Sequence, residues 1–234
     1  MRSNLLVLDT IIGPSGNFVR AMDKIFGSGG YTHVRTADWP PAGDLEAFTH
    51  LLISGSGLMA GEPHENDDLI EGIIRDFVAR GRCVLGICYG HQMVVRSLAG
   101  IQNIIRCAEF GLQSIQLMPN PLFVGIGGEG ARRLVSLCSH FEEVSGLPPE
   151  FRVIATGEPC RVQAVQYRDL PVWGTQFHPE YTLDVARDKT RRNKEKYEDA
   201  RRLARDLPIE QEVYDTQNRL IFRNFLRSQP VEKS

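Results

Sequence analysis

Residues 82–92 read Arg82-Cys83-Val84-Leu85-Gly86-Ile87-Cys88-Tyr89-Gly90-His91-Gln92. Cys83 to Ile87 is a short apolar run of the kind that forms a buried strand, and His91 to Gly100 sets Val94, Val95 and Leu98 on one helical face. Between them, Gly86-Ile87-Cys88-Tyr89-Gly90 is a G-x-C-x-G turn, a nucleophile elbow with cysteine in place of serine. Such a turn stands the Cys88 side chain at the carboxyl end of a strand. It also places it at a helix N-terminus, where the macrodipole and free N–H groups favour a thiolate. A free cysteine is more often a small buried apolar residue; the elbow favours the chemical role.

Upstream, strand alternates with helix. Leu5–Leu8 reads as a buried strand, followed by Phe18, Met22, Ile25 and Phe26 at helical spacing and a stop at Gly27-Ser28-Gly29-Gly30. Tyr31–Thr36 and Thr49–Ile53 are further strands. The second of these runs into the glycine-rich turn Ser54-Gly55-Ser56-Gly57. Ile70, Ile73, Ile74, Phe77 and Val78 form an amphipathic helix that leads to Cys83. This alternation predicts an α/β fold with a parallel, doubly wound sheet, whose ligands gather at the carboxyl ends of the strands. The Ser54 turn and Cys88 should then share one edge.

Downstream the pattern changes. Ile104–Ile105, Ser114–Met118, Arg133–Cys138, Arg152–Thr156, Val162–Tyr167 and Val172–Phe177 read as short strands without long helices between them. They are expected to continue the sheet in antiparallel fashion within a single domain spanning residues 1–234. Residues 183–207 read as one charged helix with a narrow stripe of Tyr197, Ala200, Leu203 and Ala204. Its mixed charges point to a solvated face rather than a binding patch. Pro208 ends it, and a last helix covers about Glu210 to Arg227.

The 27 Lys and Arg balance 29 Asp and Glu to a net charge of −2, so bulk charge points to neither a nucleic-acid nor a membrane partner. The five cysteines are odd in number and lack a C-x-x-C pair, which predicts reduced thiols in a cytoplasmic setting and no zinc site. The opening stretch is too short for a signal-peptide core, and no segment reaches the length of a transmembrane helix.

Gly125-Ile126-Gly127-Gly128-Glu129-Gly130 matches the dinucleotide fingerprint G-x-G-x-x-G. Its context is wrong, because Pro119 and Pro121 lie just upstream and only Leu122–Val124 offers a strand. It reads as a mobile loop, with no cofactor implied. Trp173-Gly174-Thr175-Gln176-Phe177-His178-Pro179-Glu180-Tyr181 is the second chemical stretch. His178 is placed to take the Cys88 proton. Glu180, two residues on in extended backbone, would orient the imidazole. His91 is a rival base by adjacency, although its side chain should point away from Cys88. His33, His50 and His64 have no partner in sequence and read as surface residues.

The pairing of GICYGHQ with QFHPE, some ninety residues apart, resembles the triad-type (class I) glutamine amidotransferases. Glu109-Phe110-Gly111, Ser139-His140-Phe141-Glu142-Glu143-Val144, Leu147-Pro148 and Asn224-Phe225-Leu226 extend the likeness toward free-standing members related to the amidotransferase domain of GMP synthase. The resemblance implies a three-layer, flavodoxin-like, mostly parallel sheet with antiparallel additions. It implies Cys88, His178 and Glu180 as the catalytic triad, with Ser56 and Tyr89 giving the oxyanion-hole N–H groups. Gly55, Gln92, His140 and Phe141 are implied as substrate contacts, and no metal or cofactor is implied. Two departures stand out: Ser56 replaces a usual glycine, and Gly100-Ile101 replaces a glycine pair. Two functions remain open. One is a glutaminase passing ammonia to a separate ATP-dependent synthetase; the other is a self-sufficient hydrolase of γ-glutamyl amides or peptides. Both take glutamine or a γ-glutamyl compound through a cysteine thioester.

Overall fold

The computed structural model describes residues 4–41, 45–127 and 132–231. Up to Gly100 the elements alternate as β1 (Leu5–Asp9), α1 (Gly16–Phe26), β2 (Thr32–Arg35), β3 (His50–Ile53), α2 (Asp67–Ala79), β4 (Cys83–Ile87) and α3 (Tyr89–Ala99). The second half adds β5 (Ile104–Leu117), β6 (Arg133–Val144), β7 (Phe151–Thr156), β8 (Ala164–Tyr167) and β9 (Val172–Thr175). Three helices follow, α4 (Leu183–Lys196), α5 (Glu198–Leu203) and α6 (Gln211–Arg227).

All nine strands form one sheet in the order β2-β1-β3-β4-β9-β8-β7-β5-β6. Every pairing from β2 to β9 is parallel, and every pairing from β9 to β6 is antiparallel. The parallel strands are apolar throughout because both faces are covered. Leu5, Val7, Leu52 and Leu85 pack with Phe18 and Met22 of α1 and Phe222 and Phe225 of α6. Leu6, Leu8, Leu51 and Val84 pack with Ile70, Ile74 and Phe77 of α2 and Met93 and Val94 of α3. Each such fully buried side chain contributes about 1.5–3 kcal/mol. The result is the three-layer, doubly wound arrangement.

Three details differ from expectation. First, Val172–Phe177 does not only extend the antiparallel part. Its strand, β9 (Val172–Thr175), is antiparallel to β8 on one side but parallel to β4 on the other, over Val84↔Val172 to Ile87↔Thr175, and so joins the two blocks. Its four residues are buried on both faces, as a central parallel strand requires. Second, Ile104–Ile105 and Ser114–Leu117 belong to a single strand, β5, irregular between Arg106 and Glu109, with Met118 just past its end. Third, the charged segment breaks at Tyr197 into α4 and α5. Beyond α5, Arg205 pairs with Gly111 of β5, the Leu112 N–H donating to the Arg205 carbonyl at 2.8 Å and the Arg205 N–H to that of Phe110 at 3.2 Å. Among the described residues no helix is long and apolar enough to cross a membrane.

The glycine-rich decoy lies between β5 and β6. Pro121–Phe123 is a single 3₁₀ turn rather than a strand, and Asn224 of α6 donates to the Leu122 and Val124 carbonyls at 2.9 Å. Gly128, Glu129 and Gly130 lie outside the described residues.

Candidate active site

The parallel register of β4 and β9 sets the site. Their carboxyl ends stop side by side, and the Cys88 N–H donates to the Thr175 carbonyl at 2.7 Å. Cys88 itself has φ 52° and ψ −105°, a conformation that L residues rarely adopt. The elbow glycines answer a different need, the close approach of backbones. A Cβ on Gly86 would lie 2.3 Å from the Gly90 carbonyl oxygen, and one on Gly90 would lie 2.5 Å from that of Ile53. Strand and helix thus close tightly behind the cysteine, and the strain falls on Cys88 itself.

His178 Nδ1 lies 2.7 Å from Glu180 Oε1. The chain after β9 turns at Pro179 and Glu180 instead of continuing extended, and that turn folds the carboxylate onto the imidazole. Burial pushes the His178 imidazole down, but the Glu180 carboxylate and the nearby Cys88 sulfur outweigh this and raise it to about 10. Gly55 completes the close packing: a Cβ there would stand 2.9 Å from His178 Cε1 and 3.4 Å from Cys88 Cβ.

Cys88, His178, Gly55, Ser56, Tyr89 and Gln92 line one cavity of about 250 Å³, and His140 and Phe141 line it too. As the first residue of α3, Tyr89 has an N–H without an intrahelical acceptor. Ser56 sits in a tethered turn: its hydroxyl donates to the Thr10 carbonyl at 2.8 Å, while the Thr10 N–H donates to Ser54 Oγ at 2.9 Å. The serine that departs from the family pattern therefore anchors the loop to the end of β1. Gln92 donates to the Glu142 carbonyl at 2.8 Å and to Gln176 Oε1 at 3.1 Å.

Gln176 was not singled out by sequence reasoning. Its Nε2 lies 3.7 Å from Cys88 Sγ, so one amide bridges Cys88 and Gln92. The available signal was its place in QFHPE, two residues before His178. His140 turns its Nε2 to Glu109 Oε2 at 3.1 Å, and Gln163 donates to the same oxygen at 2.6 Å. Cys138 lies 3.8 Å from Gln163 Oε1, so this buried Glu109–Cys138–His140 group is knit by hydrogen bonds.

The rival histidine, His91, is fully buried with its ring against Gly174, where a Cβ would lie 2.3 Å from Nδ1. Burial and the neighbouring His140 push it down to about 3, so it stays neutral. The other three histidines are not bare surface residues. His50 is 2% exposed because β3 is a central strand, His33 bonds Asp9 at 2.9 Å, and His64 bonds the Met59 carbonyl at 2.8 Å. All five cysteines are free, and burial pushes the Cys83 thiol up to about 12.

Segment 183–207 also reaches the site: Lys189 and Asn193 of α4, and Tyr197 at its end, line the same cavity. Tyr197 and Phe110 each set a ring 5.1 Å from that of Phe141.

Comparison with known proteins adds two kinds of likeness. Residues 20–196 match the family described as "Glutamine amidotransferase class-I". Among curated proteins, the glutamine-hydrolysing GMP synthase subunit from Pyrococcus abyssi is 32% identical over 151 residues, covering 64% of this chain and 78% of that protein. Its counterpart in Pyrococcus furiosus is 30% identical with the same coverage. Among solved structures, a glutamine amido transferase from Methylobacillus flagellatus superposes with a TM-score of 0.73 at 19% identity, covering 100% of this chain and 98% of that one. A glutamine amidotransferase from Thermotoga maritima gives 0.69 at 20% identity, covering 96% and 99%. At these identities the structural likeness establishes the shared fold.

Proposed function

The chain belongs to the class-I glutamine amidotransferases, a family of enzymes, and on that premise we propose that it hydrolyses the side-chain amide of glutamine through a thioester on Cys88. The Cys88 sulfur attacks the amide carbon. The resulting oxyanion is held by the N–H groups of Tyr89 and Ser56. His178 gives a proton to the leaving ammonia, which breaks the C–N bond and leaves a γ-glutamyl thioester. Water, deprotonated by the same imidazole, then attacks that carbon, and glutamate leaves as the sulfur departs. Glu180 keeps His178 oriented and favours its protonated form.

The main support is the placement of Glu180 Oε1 at 2.7 Å from His178, with His178 and the elbow cysteine Cys88 packed against the same face of Gly55 and lining one cavity. A nucleophile, a base and an orienting acceptor, with N–H donors for the oxyanion, are the groups acyl transfer requires. The cavity in front of them receives the glutamyl chain, with Gln92, His140, Phe141 and Gly55 along its walls.

The relatives' name describes a glutamine-hydrolysing part of GMP synthase. By that analogy the ammonia serves a separate synthetase, which would dock over the cavity mouth. A second reading, a self-sufficient γ-glutamyl hydrolase with the same residues, draws on the aromatic wall of Phe110, Phe141 and Tyr197. The amide nitrogen of glutamine has no use for such a wall. A glutamine-derived diazoketone is expected to label Cys88 stoichiometrically, and Cys88→Ala to abolish hydrolysis. Turnover that survives in Cys88→Ala would overturn the nucleophile assignment.

A further inference from the structure

The element with no assigned role is α4. Its charges divide by face. On the outer face, Asp188 pairs with Arg191 and with Arg192 at 2.8 Å, and Arg191 reaches Glu195 at 3.4 Å. Leu183, Ala186 and Thr190 are buried against the body of the protein. Between these faces runs a third stripe, Lys189, Asn193 and Tyr197, at i, i+4 and i+8, and all three residues line the active-site cavity.

Lys189 breaks the pairing habit of its own helix. Among the described residues it has no carboxylate partner, although carboxylates abound on α4. It is half-buried, and its ammonium lies 4.5 Å from the centroid of the Tyr181 ring. That ring is in turn 5.7 Å from the ring of His178. One aromatic ring therefore separates an unpaired cation from the imidazole. Asn193 is fixed beside it, its Nδ2 donating to Ser139 Oγ at 2.8 Å. A half-buried lysine that lines a cavity and lacks an internal counter-ion offers a site for an anion from outside. In this cavity the anion must be carried by the substrate.

We propose that Lys189 is the carboxylate-binding residue of this site, recognising a carboxylate of the γ-glutamyl substrate from the wall that α4 adds. The inference deepens the glutamine or γ-glutamyl reading of the cavity and rests on it. The carboxylate has two sources: the α-carboxylate of the glutamyl group, or a carboxylate on a leaving group that is itself an amino acid.

Calorimetric binding to the full-length Cys88→Ala protein separates them without turnover. The probes are glutamine, γ-glutamylglycine and γ-glutamylethylamide, each titrated into protein with Lys189 and with Lys189→Met. Loss of a charge-assisted contact is expected to weaken binding about 10- to 100-fold. An equal loss for all three probes assigns Lys189 to the glutamyl α-carboxylate. A loss confined to γ-glutamylglycine assigns it to the leaving group. Lys189→Arg, which keeps the charge, should restore most of the affinity, and a purely packing role would not produce that rescue. Affinities within twofold of the Lys189 protein for every probe overturn the inference and leave the glutamine reading standing. If no probe binds even with Lys189 present, both fall together. Unchanged thermal midpoints in the Lys189 variants exclude misfolding as the cause of a loss.

Discussion

At Cys88 the backbone holds a positive φ on a residue with a Cβ, at a cost of order 1–3 kcal/mol. Both Cys88→Ala and Cys88→Gly remove the sulfur, but only glycine also relieves the strain. Cys88→Gly is therefore expected to be the more stable of the two, by about 1 kcal/mol after the entropy cost of glycine. Urea denaturation measures the difference, and the reverse ranking would show that the elbow is relaxed. The neighbouring imidazole makes a pH prediction. His178 is raised to about 10 from an ordinary value of 6.5, so the stabilisation it supplies is fully present below about 6.5 and disappears as pH rises through about 10. The stability gap between wild type and His178→Asn should shrink across that window; a gap that widens toward pH 10 would contradict a protonated imidazole. In turnover, His178→Asn should lose nearly all activity and Glu180→Gln less, because Glu180 orients rather than transfers the proton. Activity that tracks His91 instead would reassign the base.

Among the elements, α5 hangs on a backbone latch. Gly111 has φ 87°, and a Cβ there would lie 2.1 Å from the Arg205 carbonyl oxygen. Gly111→Ala should cost about 1–3 kcal/mol and free the segment after Tyr197. Faster amide exchange at Leu112 and Arg205 would report it, and unchanged exchange would show that the latch is dispensable. Sequence made some of these elements plain and hid others for physical reasons. The strands β1, β3 and β4 are unbroken apolar runs between amphipathic helices, so alternation alone announces a doubly wound sheet. β9 has only four residues, and nothing local distinguishes a parallel neighbour of β4 from another antiparallel strand; long-range pairing decides it. The break at Tyr197 has no proline or glycine to mark it, since it comes from aromatic packing on Phe141 and the tether at Gly111. That Cys88, His178 and Glu180 belong together was legible as an expectation because each sits in a local motif with a chemical reason. Gln176 was not, since its contacts to Cys88 and Gln92 exist only after β9 docks. Lys189 was hidden in a run of charges whose faces only the helix separates.

For the molecule as a whole, the question is whether the site works alone. The Ser54–Gly57 turn is rich enough in glycine for two states, yet the Ser54 and Ser56 hydroxyls hold it to Thr10. A docking synthetase that moved such a turn from 1:99 to 99:1 would need about 5.5 kcal/mol of differential binding. Slow turnover of glutamine by the purified chain, with no preferred γ-glutamyl peptide, is the outcome expected of an ammonia donor. Rapid cleavage of one such peptide, with glutamine a poor substrate, would identify the self-sufficient hydrolase. The placement of β9 beside β4 also has a consequence in time. Synthesis delivers Cys88 some ninety residues before His178, an interval of about 5–20 s at ordinary elongation rates. Throughout it the nascent chain carries Cys88 without the His178 imidazole. On the proposed mechanism, glutamine hydrolysis therefore waits for β9 to take its place between β4 and β8, and a chain interrupted before Val172 is expected to show none.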